Sequence, residues 1–233
     1  MRALLNKRLR ATSPETALKQ IGTLRRLFRL AIREGHLKTN PVDAVKLPQG
    51  RPKPYDFMTP AEVAKCLAKI TDQADADLVR FVFHTGFRRE ELARLTADDV
   101  DLAAGTIRIV GKTANRVARI GKGLADVVPR ILLRAGGGSL FGNADRIGYR
   151  FAKMKKATGE RRLYAHALRH SFGTAMAEAG VPVHELQRAM GHKTLSMTMR
   201  YVHGSPKGAQ AAVDALTLPH APPSEESQPE AAT

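Results

Sequence analysis

The segment His166-Ala167-Leu168-Arg169-His170 brings two imidazoles and a guanidinium together within five residues of a predicted helix. His166 and Arg169 are three residues apart, so their side chains leave the same helix face and can contact one small group. The spacing of His166 and His170 also suits two zinc ligands, but no Glu, Asp or Cys lies where it would complete such a site. His-x-x-Arg also occurs by chance around ordinary core histidines. Other parts of the sequence must therefore show whether this segment belongs to a functional site.

Two later sequence segments and one earlier segment contain further residues that could act together with this one. Gly191-His192 follows an apolar helical stretch, and Tyr201 lies nine residues after His192, at the far end of one short predicted helix. Thr85-Gly86-Phe87-Arg88 supplies a second arginine upstream. Taken alone, Tyr201 also fits a half-buried aromatic residue whose hydroxyl is hydrogen-bonded. Together, two arginines, several imidazoles and a phenol are what a metal-free enzyme needs to hold a phosphodiester and attack it, and we expect no cofactor.

Charge points to the same substrate. Lysine and arginine number 38 against 22 acidic residues, which gives a net charge of +16 and a pI near 10.5. Such an excess favours a polyanionic partner, and double-stranded DNA is the first candidate. A membrane partner is disfavoured because no apolar run approaches the length of a spanning helix. The single cysteine, Cys66, forms no internal disulfide, which fits a reducing cytoplasm. With DNA as the partner, we expect a cytoplasmic, nucleoid-associated protein.

The N-terminal stretch holds much of this charge, with 13 basic residues against three acidic ones in residues 1–53. Ser13-Pro14 and Gly35 are typical start and stop signals of a helix between them. One face of that helix is almost uniformly basic, which favours contact with the DNA backbone over an ordinary solvated face. The residues of this basic stripe are Lys19, Arg25, Arg26, Arg29 and Arg33.

Proline-rich residues 47–54 indicate a linker, which divides the chain into three parts. We expect a helical N-terminal domain over 1–50, a second domain over 51–218 and a disordered tail over 219–233. Within the second domain, helical periodicity dominates, and β-branched alternation around 99–120 predicts a small antiparallel sheet. The predicted fold class is therefore mainly α with a small antiparallel β-sheet (α+β).

The order of these pieces resembles the tyrosine recombinases, also called phage-type integrases. The matching pieces are Thr-Gly-Phe-Arg-Arg-Glu-Glu-Leu from residue 85, a lysine in a predicted hairpin turn, the 166–170 segment, Met-Gly-His at 190–192, and Tyr201. The resemblance covers residues 14–218. It implies a catalytic domain preceded by a partial helical DNA-binding domain. It also implies site-specific cutting and rejoining of DNA through a covalent 3′-phosphotyrosine intermediate.

Carried over position by position, the resemblance assigns the phosphate clamp to two arginines and the nucleophile to Tyr201. A phenol with a pKa of about 10 needs about 4 kcal/mol of activation at neutral pH. By analogy with other oxyanion-stabilising groups, each clamping arginine is expected to contribute about 3–4 kcal/mol. The six catalytic residues implied by the resemblance are Arg88, Lys112, His166, Arg169, His192 and Tyr201.

The general acid and the proton carriers follow from the same resemblance. Lys112 would protonate the departing 5′ oxygen, but Lys122 also follows a strand and a glycine and competes for this role. His166 would carry the tyrosine proton and His192 would donate to a phosphate oxygen.

Two further residues are expected to support the catalytic ones. Glu91, three residues after Arg88, is expected to orient that arginine, although it also suits a surface charge on a helix. His170 is expected either to hydrogen-bond within the site or to pack.

Two alternatives to a recombinase remain open from the sequence. One is a relaxing enzyme like the type IB topoisomerases, and the other is a catalytically idle DNA-binding remnant, since only part of the family's N-terminal domain fits before the linker. The apolar stretch 209–218 resembles a terminal helix that docks on a neighbouring subunit in the family. This resemblance implies a homotetramer on DNA and a monomer when free.

Overall fold

A computed structural model of the chain describes residues 3, 7, 11–43, 56–110 and 115–202. The chain divides into two compact units, Met1–Pro54 and Tyr55–Thr233, named here the N-terminal and C-terminal units. Several predicted features lie outside the described residues: Lys112, the linker over 47–54, the apolar stretch 209–218 and the tail over 219–233.

The N-terminal unit contains helix α1, Pro14–Arg33. It begins as predicted, because the Ser13 side chain accepts a hydrogen bond from the Thr16 amide and proline occupies the first turn. Ala17 and Ile21 form its buried face. After the helix, the Asn40 side-chain amide donates to the Arg25 carbonyl at 3.1 Å and holds the returning chain.

The C-terminal unit is mainly helical with one three-stranded antiparallel sheet, which confirms the predicted fold class. The strands pair in the order β1-β2-β3, and the β2–β3 register places Ile109 opposite Arg116 and Thr106 opposite Arg119. Two short 3₁₀ turns, Ala97–Asp99 and Lys122–Leu124, flank the sheet. The described elements of this unit are α2 (Pro60–Leu67), α3 (Gln73–Thr85), α4 (Arg89–Leu92), β1 (Val100–Asp101), β2 (Thr106–Ile109), β3 (Arg116–Arg119), α5 (Val127–Ala135), α6 (Ala144–Thr158), α7 (Ala165–Glu178), α8 (Val183–Met190) and α9 (Leu195–Val202).

Local signals explain most of the helix ends. The sequence Thr59-Pro60-Ala61-Glu62 predicts a capping box, which Thr59 and Glu62 form at the start of α2. Gly86 predicts the end of the next helix, and it ends α3 with φ of 62°, a conformation that favours glycine. The sequence also predicts a helix from Arg88 to Leu95, and this prediction is wrong in length, because α4 ends at Leu92. Its reason is a tertiary contact: the Leu95 carbonyl accepts from the Leu140 amide at 3.0 Å and draws the chain out of the helix.

The core of the C-terminal unit lies where α3 packs against α5 and α7. Phe81, Phe87 and Phe141 are buried there, with ring centroids 4.9–5.5 Å from Phe81 to the other two. Phe87 is the residue directly before Arg88, so its burial anchors the backbone that carries this arginine. In the described residues no helix is both long enough and apolar enough to cross a membrane.

Candidate active site

The turn after α8 is the point where the site is assembled. Gly191 ends α8 with φ of 60°, and the last carbonyls of the helix are directed at two arginines. Arg88 donates from Nη2 to the Gly191 carbonyl at 3.1 Å, and Arg169 donates from Nη2 to the Met190 carbonyl. A helix C-terminus carries partial negative charge, so it attracts both guanidiniums despite their mutual repulsion. Residues 81 positions apart in sequence therefore meet at one turn.

Arg169 is held almost completely inside the protein, with a relative exposure of 2%. Besides Met190, it donates from Nη1 to the carbonyl of Gly86, the residue that ends α3, at 2.5 Å. Burial, followed by the positive charge of Arg88, lowers the pKa of Arg169 to about 10, so the guanidinium stays charged at neutral pH. The side chain thus bridges the ends of α3 and α8 while keeping its charge at the site.

Arg88 is held by a buried carboxylate, that of Glu91. Arg88 donates to Glu91 from both its backbone amide at 2.8 Å and its Nη1 at 2.9 Å. Arg116, at the start of β3, adds two more hydrogen bonds to the same carboxylate at 2.9 and 2.8 Å. Burial alone would raise the pKa of Glu91, but the Arg116 side chain and the Arg88 backbone outweigh it and lower that pKa to about 2. The carboxylate is therefore ionised at neutral pH.

Tyr201 lies in α9 and is only 6% exposed. Its hydroxyl is 2.8 Å from Nδ1 of His170, which is also buried. Its ring packs directly on Gly173 of α7, where an added Cβ would lie 2.8 Å from the tyrosine Cε1. The protein therefore fixes the ring closely, and there is no room at position 173 for a methyl group.

His192 is the second histidine beside Tyr201, and its ring stacks on the tyrosine ring. Its ring is parallel to that of Tyr201 within 8°, with centroids 6.1 Å apart. Its Nδ1 is 3.0 Å from the hydroxyl of Thr198, a buried residue of α9. When Thr198 donates to Nδ1, the neutral ring carries its proton on Nε2, the nitrogen that can donate to a phosphate oxygen. Burial, followed by the charges of Arg169 and Arg88, lowers the pKa of His192 to about 4.

His166 is solvent-exposed and lies next to His170, with ring centroids 4.4 Å apart and rings at 75°. Burial of part of the ring, followed by Arg169 and Arg88, lowers its pKa. His170 contacts the tyrosine hydroxyl, and the exposed His166 lies one ring further from that hydroxyl, next to solvent. Among the described residues, no three His, Cys, Asp or Glu side chains are grouped as a metal site requires.

His170 gives the site a pH-dependent stability. Burial, followed by the charges of His166 and Arg169, lowers its pKa from 6.5 to about 4. As the pH falls, the unfolded chain takes up this proton before the folded one, so the stabilisation is complete above about pH 6.5 and is lost toward pH 4. We expect the melting temperature of wild-type protein to fall more steeply over this interval than that of His170→Gln, whose amide does not titrate.

The control for this measurement is His36→Gln, since His36 is exposed and belongs to the N-terminal unit. This variant should keep the wild-type slope of melting temperature against pH. Parallel slopes for wild-type and His170→Gln would contradict the assignment of the pH dependence to His170.

The two candidate lysines occupy different ends of the hairpin. Lys112 is outside the described residues, but the segment that contains it joins β2 to β3 next to the paired residues Ile109 and Arg116. Lys122 lies beyond Arg119, at the opposite end of β3, and is the exposed first residue of a 3₁₀ turn. Since Arg116 contacts the carboxylate that holds Arg88, the end of the hairpin that leads into residues 111–114 is the one adjoining the site.

The basic stripe of α1 belongs to the N-terminal unit. Lys19 pairs with Glu15 at 3.1 Å, and Arg25 pairs with Asp43 at 2.9 Å. Lys19 is exposed and Arg25 is partly buried. The other members, Arg26, Arg29 and Arg33, are exposed.

Sequence reasoning missed Arg116 as a site residue and placed it only within the small sheet predicted around residues 99–120. The available signal was the alternation of β3, which places Arg116 and Ala118 on the same, partly buried face. A buried arginine requires a carboxylate, but its partner Glu91 is 25 residues upstream, and no spacing rule connects the two.

Known proteins provide an independent comparison. A profile of the phage integrase family matches residues 56–207. The tyrosine recombinase XerC of Bacillus pumilus is 30% identical over 222 residues, covering 82% of this chain and 70% of the relative. The XerC protein of Pelobacter propionicus is 27% identical over 206 residues, covering 80% of this chain and 68% of that protein.

Solved structures give the same fold. The Tn1549 transposon integrase in complex with transposon right-end DNA superposes with a TM-score of 0.76 at 24% identity, covering 91% of this chain and 83% of the other. A lambda integrase dimer bound to a core site superposes with a TM-score of 0.73 at 19% identity, covering 86% and 77%. At these identities the likeness establishes the architecture, while the family profile and the sequence relatives establish the lineage. The chain belongs to the phage integrase family, the tyrosine recombinases.

Proposed function

We propose that this protein is a site-specific DNA recombinase that cuts and rejoins strands through a covalent bond between Tyr201 and a 3′ phosphate. The observation that carries the proposal is the turn after α8. There Arg88 and Arg169 donate to neighbouring carbonyls, and the His192 that follows them stacks on the ring of Tyr201. A phosphodiester held by both arginines would lie within the same small region as the phenol.

The charges of this region suit a phosphoryl-transfer transition state. Three guanidiniums, those of Arg88, Arg116 and Arg169, share the described part of the site with one carboxylate, that of Glu91. The local excess of positive charge matches the two negative charges that a phosphodiester carries when an oxygen nucleophile has added to it. Groups fixed in advance around such charge supply much of the catalysis, and a guanidinium fork can bridge two phosphate oxygens.

The chemical step follows from these positions. The Tyr201 oxygen attacks phosphorus, the bond to the 5′ oxygen breaks, and a phosphotyrosine forms that conserves the bond for rejoining. The resemblance gives the phenolic proton to His166, but we assign it to His170, because His170 contacts the phenol and is neutral at pH 7. His192 donates from Nε2 to a phosphate oxygen, and the exposed His166 is placed to pass the proton of His170 on to solvent. Attack by the 5′ hydroxyl of a partner strand reverses each step.

The departing 5′ oxygen needs a proton, which we assign to Lys112. The support is the β2–β3 register, which brings the residues flanking 111–114 next to Arg116 and its carboxylate contact. Lys122 is disfavoured because it lies at the other end of β3.

The substrate is double-stranded DNA, and the N-terminal unit contributes to its binding through the exposed arginines of α1. Arg26, Arg29 and Arg33 are exposed, so they are placed for phosphate contacts that weaken with salt, and the exposed Lys19 adds to the same stripe. Strand exchange needs paired sites, and we propose a homotetramer on DNA, joined through residues 209–218, that dissociates to monomers when free. The domain division follows the same assignment: a DNA-clamping domain over 1–50 and a catalytic domain over 51–218.

A pool of nicked duplexes with randomised sequence tests the proposal and selects the target site in the same experiment. Cleavage next to the nick releases a short fragment and traps the protein on DNA. We expect an adduct that resists detergent, whose attached peptide contains Tyr201 and whose DNA is enriched in a defined sequence. An adduct with relaxation of supercoiled plasmid but no exchange between selected sites would instead indicate a topoisomerase-like enzyme. Absence of any adduct would refute the proposed strand cleavage and favour a protein that binds DNA without cutting it.

A further inference from the structure

The Arg116 side chain is one of the most enclosed charges of the C-terminal unit, with 6% relative exposure. Its guanidinium lies 5.4 Å from the centre of the Phe87 ring. It also fills the space beside Gly191, where an added Cβ would be 2.7 Å from Nη1 of Arg116. Arg116 therefore packs against the Phe87 side chain, directly before Arg88, and against the turn after α8, and these two segments hold the proposed phosphate clamp.

The carboxylate of Glu91 is divided evenly between the two arginines. Oε1 accepts from Nη1 of Arg88 and from Nη1 of Arg116, both at 2.9 Å. Oε2 accepts from the Arg88 backbone amide and from Nη2 of Arg116, both at 2.8 Å. A carboxylate has about four acceptor sites, so these donors occupy its whole capacity. The arrangement fixes the carboxylate plane, and with it the direction from which Arg88 is held.

From this geometry we infer that Arg116 is a positioning residue for strand cleavage, which acts by holding Glu91 and the α8 turn so that the Arg88 guanidinium faces the scissile phosphate. The inference rests on the proposed function of Arg88 and extends the site to the first residue of β3. Lysine at position 116 would keep the charge but lose the fork that contacts both carboxylate oxygens. Arg88 would then keep its partner but not its fixed orientation.

The test compares Arg116→Lys and Arg116→Gln with Arg119→Lys, on the nicked substrate that wild-type protein selects. Arg119 is the matched control because it lies on the same strand but on its exposed face. Substitution of a residue that orients a reacting group through a hydrogen bond typically lowers activity by about 10- to 100-fold. We expect Arg116→Lys to slow cleavage by that factor. Arg119→Lys should cleave at close to the wild-type rate. Arg116→Gln, which leaves a buried carboxylate with fewer partners, should lose more.

A second substrate separates positioning from a purely structural role. With a methylphosphonate at the scissile position, one charged oxygen is replaced by a methyl group, so a clamping guanidinium matters less. If Arg116 acts through Arg88, the defect of Arg116→Lys should shrink on this substrate by the same proportion as the defect of Arg88→Ala. An equal loss on both substrates, a loss shared by Arg119→Lys, or failure of Arg116→Lys to fold would overturn the inference. Lack of an adduct with wild-type protein would instead refute the proposed function.

Discussion

Replacing Tyr201 with phenylalanine is expected to reduce covalent DNA cleavage by at least about a thousand-fold, because the phenylalanine ring has no oxygen to form the bond to phosphorus. The phenylalanine ring fits the same space on Gly173 and beside His192, since only the hydroxyl is lost. The measurement is the yield of detergent-resistant adduct on the nicked substrate. Gel-shift binding of the same DNA should remain close to the wild-type level.

The loss of the hydroxyl also removes the 2.8 Å contact between the phenol and His170. A buried group that loses such a contact destabilises a protein by about 1–3 kcal/mol, which is measurable but far from enough to unfold most domains. Tyr149→Phe is the matched control, because it also removes one tyrosine hydroxyl, but from a side chain that is 71% exposed and outside the site. Adduct formation by Tyr201→Phe at a rate near wild-type would refute the assignment of the nucleophile.

Helix ends were predictable wherever a local signal fixed them. The Ser13 and Thr59 caps and the glycine at position 86 act within a few residues, so the sequence alone placed α1, α2 and α3 closely. The end of α4 was not predictable, because it depends on a backbone hydrogen bond between Leu95 and Leu140, 45 positions apart. Helix propensity reflects only local sequence, so a tertiary contact can end a helix where the local sequence would continue it.

The site divides in the same way. The resemblance supplied Arg88, Arg169, His192 and Tyr201, and the structure brings all of them to the turn after α8. The resemblance could not supply the contacts of Arg116, because its partners come from other elements and a strand pattern records only which face a residue takes. A buried charge such as Arg116 can be found only from the three-dimensional structure, which shows which charged side chains are enclosed.

Arg169 carries the second large prediction, because it serves the fold and the chemistry together. Arg169→Lys keeps a positive charge, but a single ammonium on a flexible stem cannot reach the Gly86 and Met190 carbonyls and a phosphate at once. By the usual cost of removing a group that stabilises transition-state charge, we expect cleavage to fall by about 10²- to 10³-fold. One buried carbonyl left without a donor should also lower the free energy of unfolding by about 1–3 kcal/mol.

A variant that is destabilised without touching the site separates these two effects. Arg130→Lys weakens the contacts of Arg130 with Asp77, a fully buried carboxylate nine residues before Gly86 on α3. Denaturant unfolding should place both variants below wild-type, but only Arg169→Lys should lose cleavage by two orders of magnitude or more when assayed well below its melting temperature. Comparable cleavage by the two variants would mean that Arg169 is a structural bridge between α3 and α8 and that Arg88 alone holds the phosphate. A selective loss in Arg169→Lys follows if the guanidinium that joins the two helix ends also holds the phosphate.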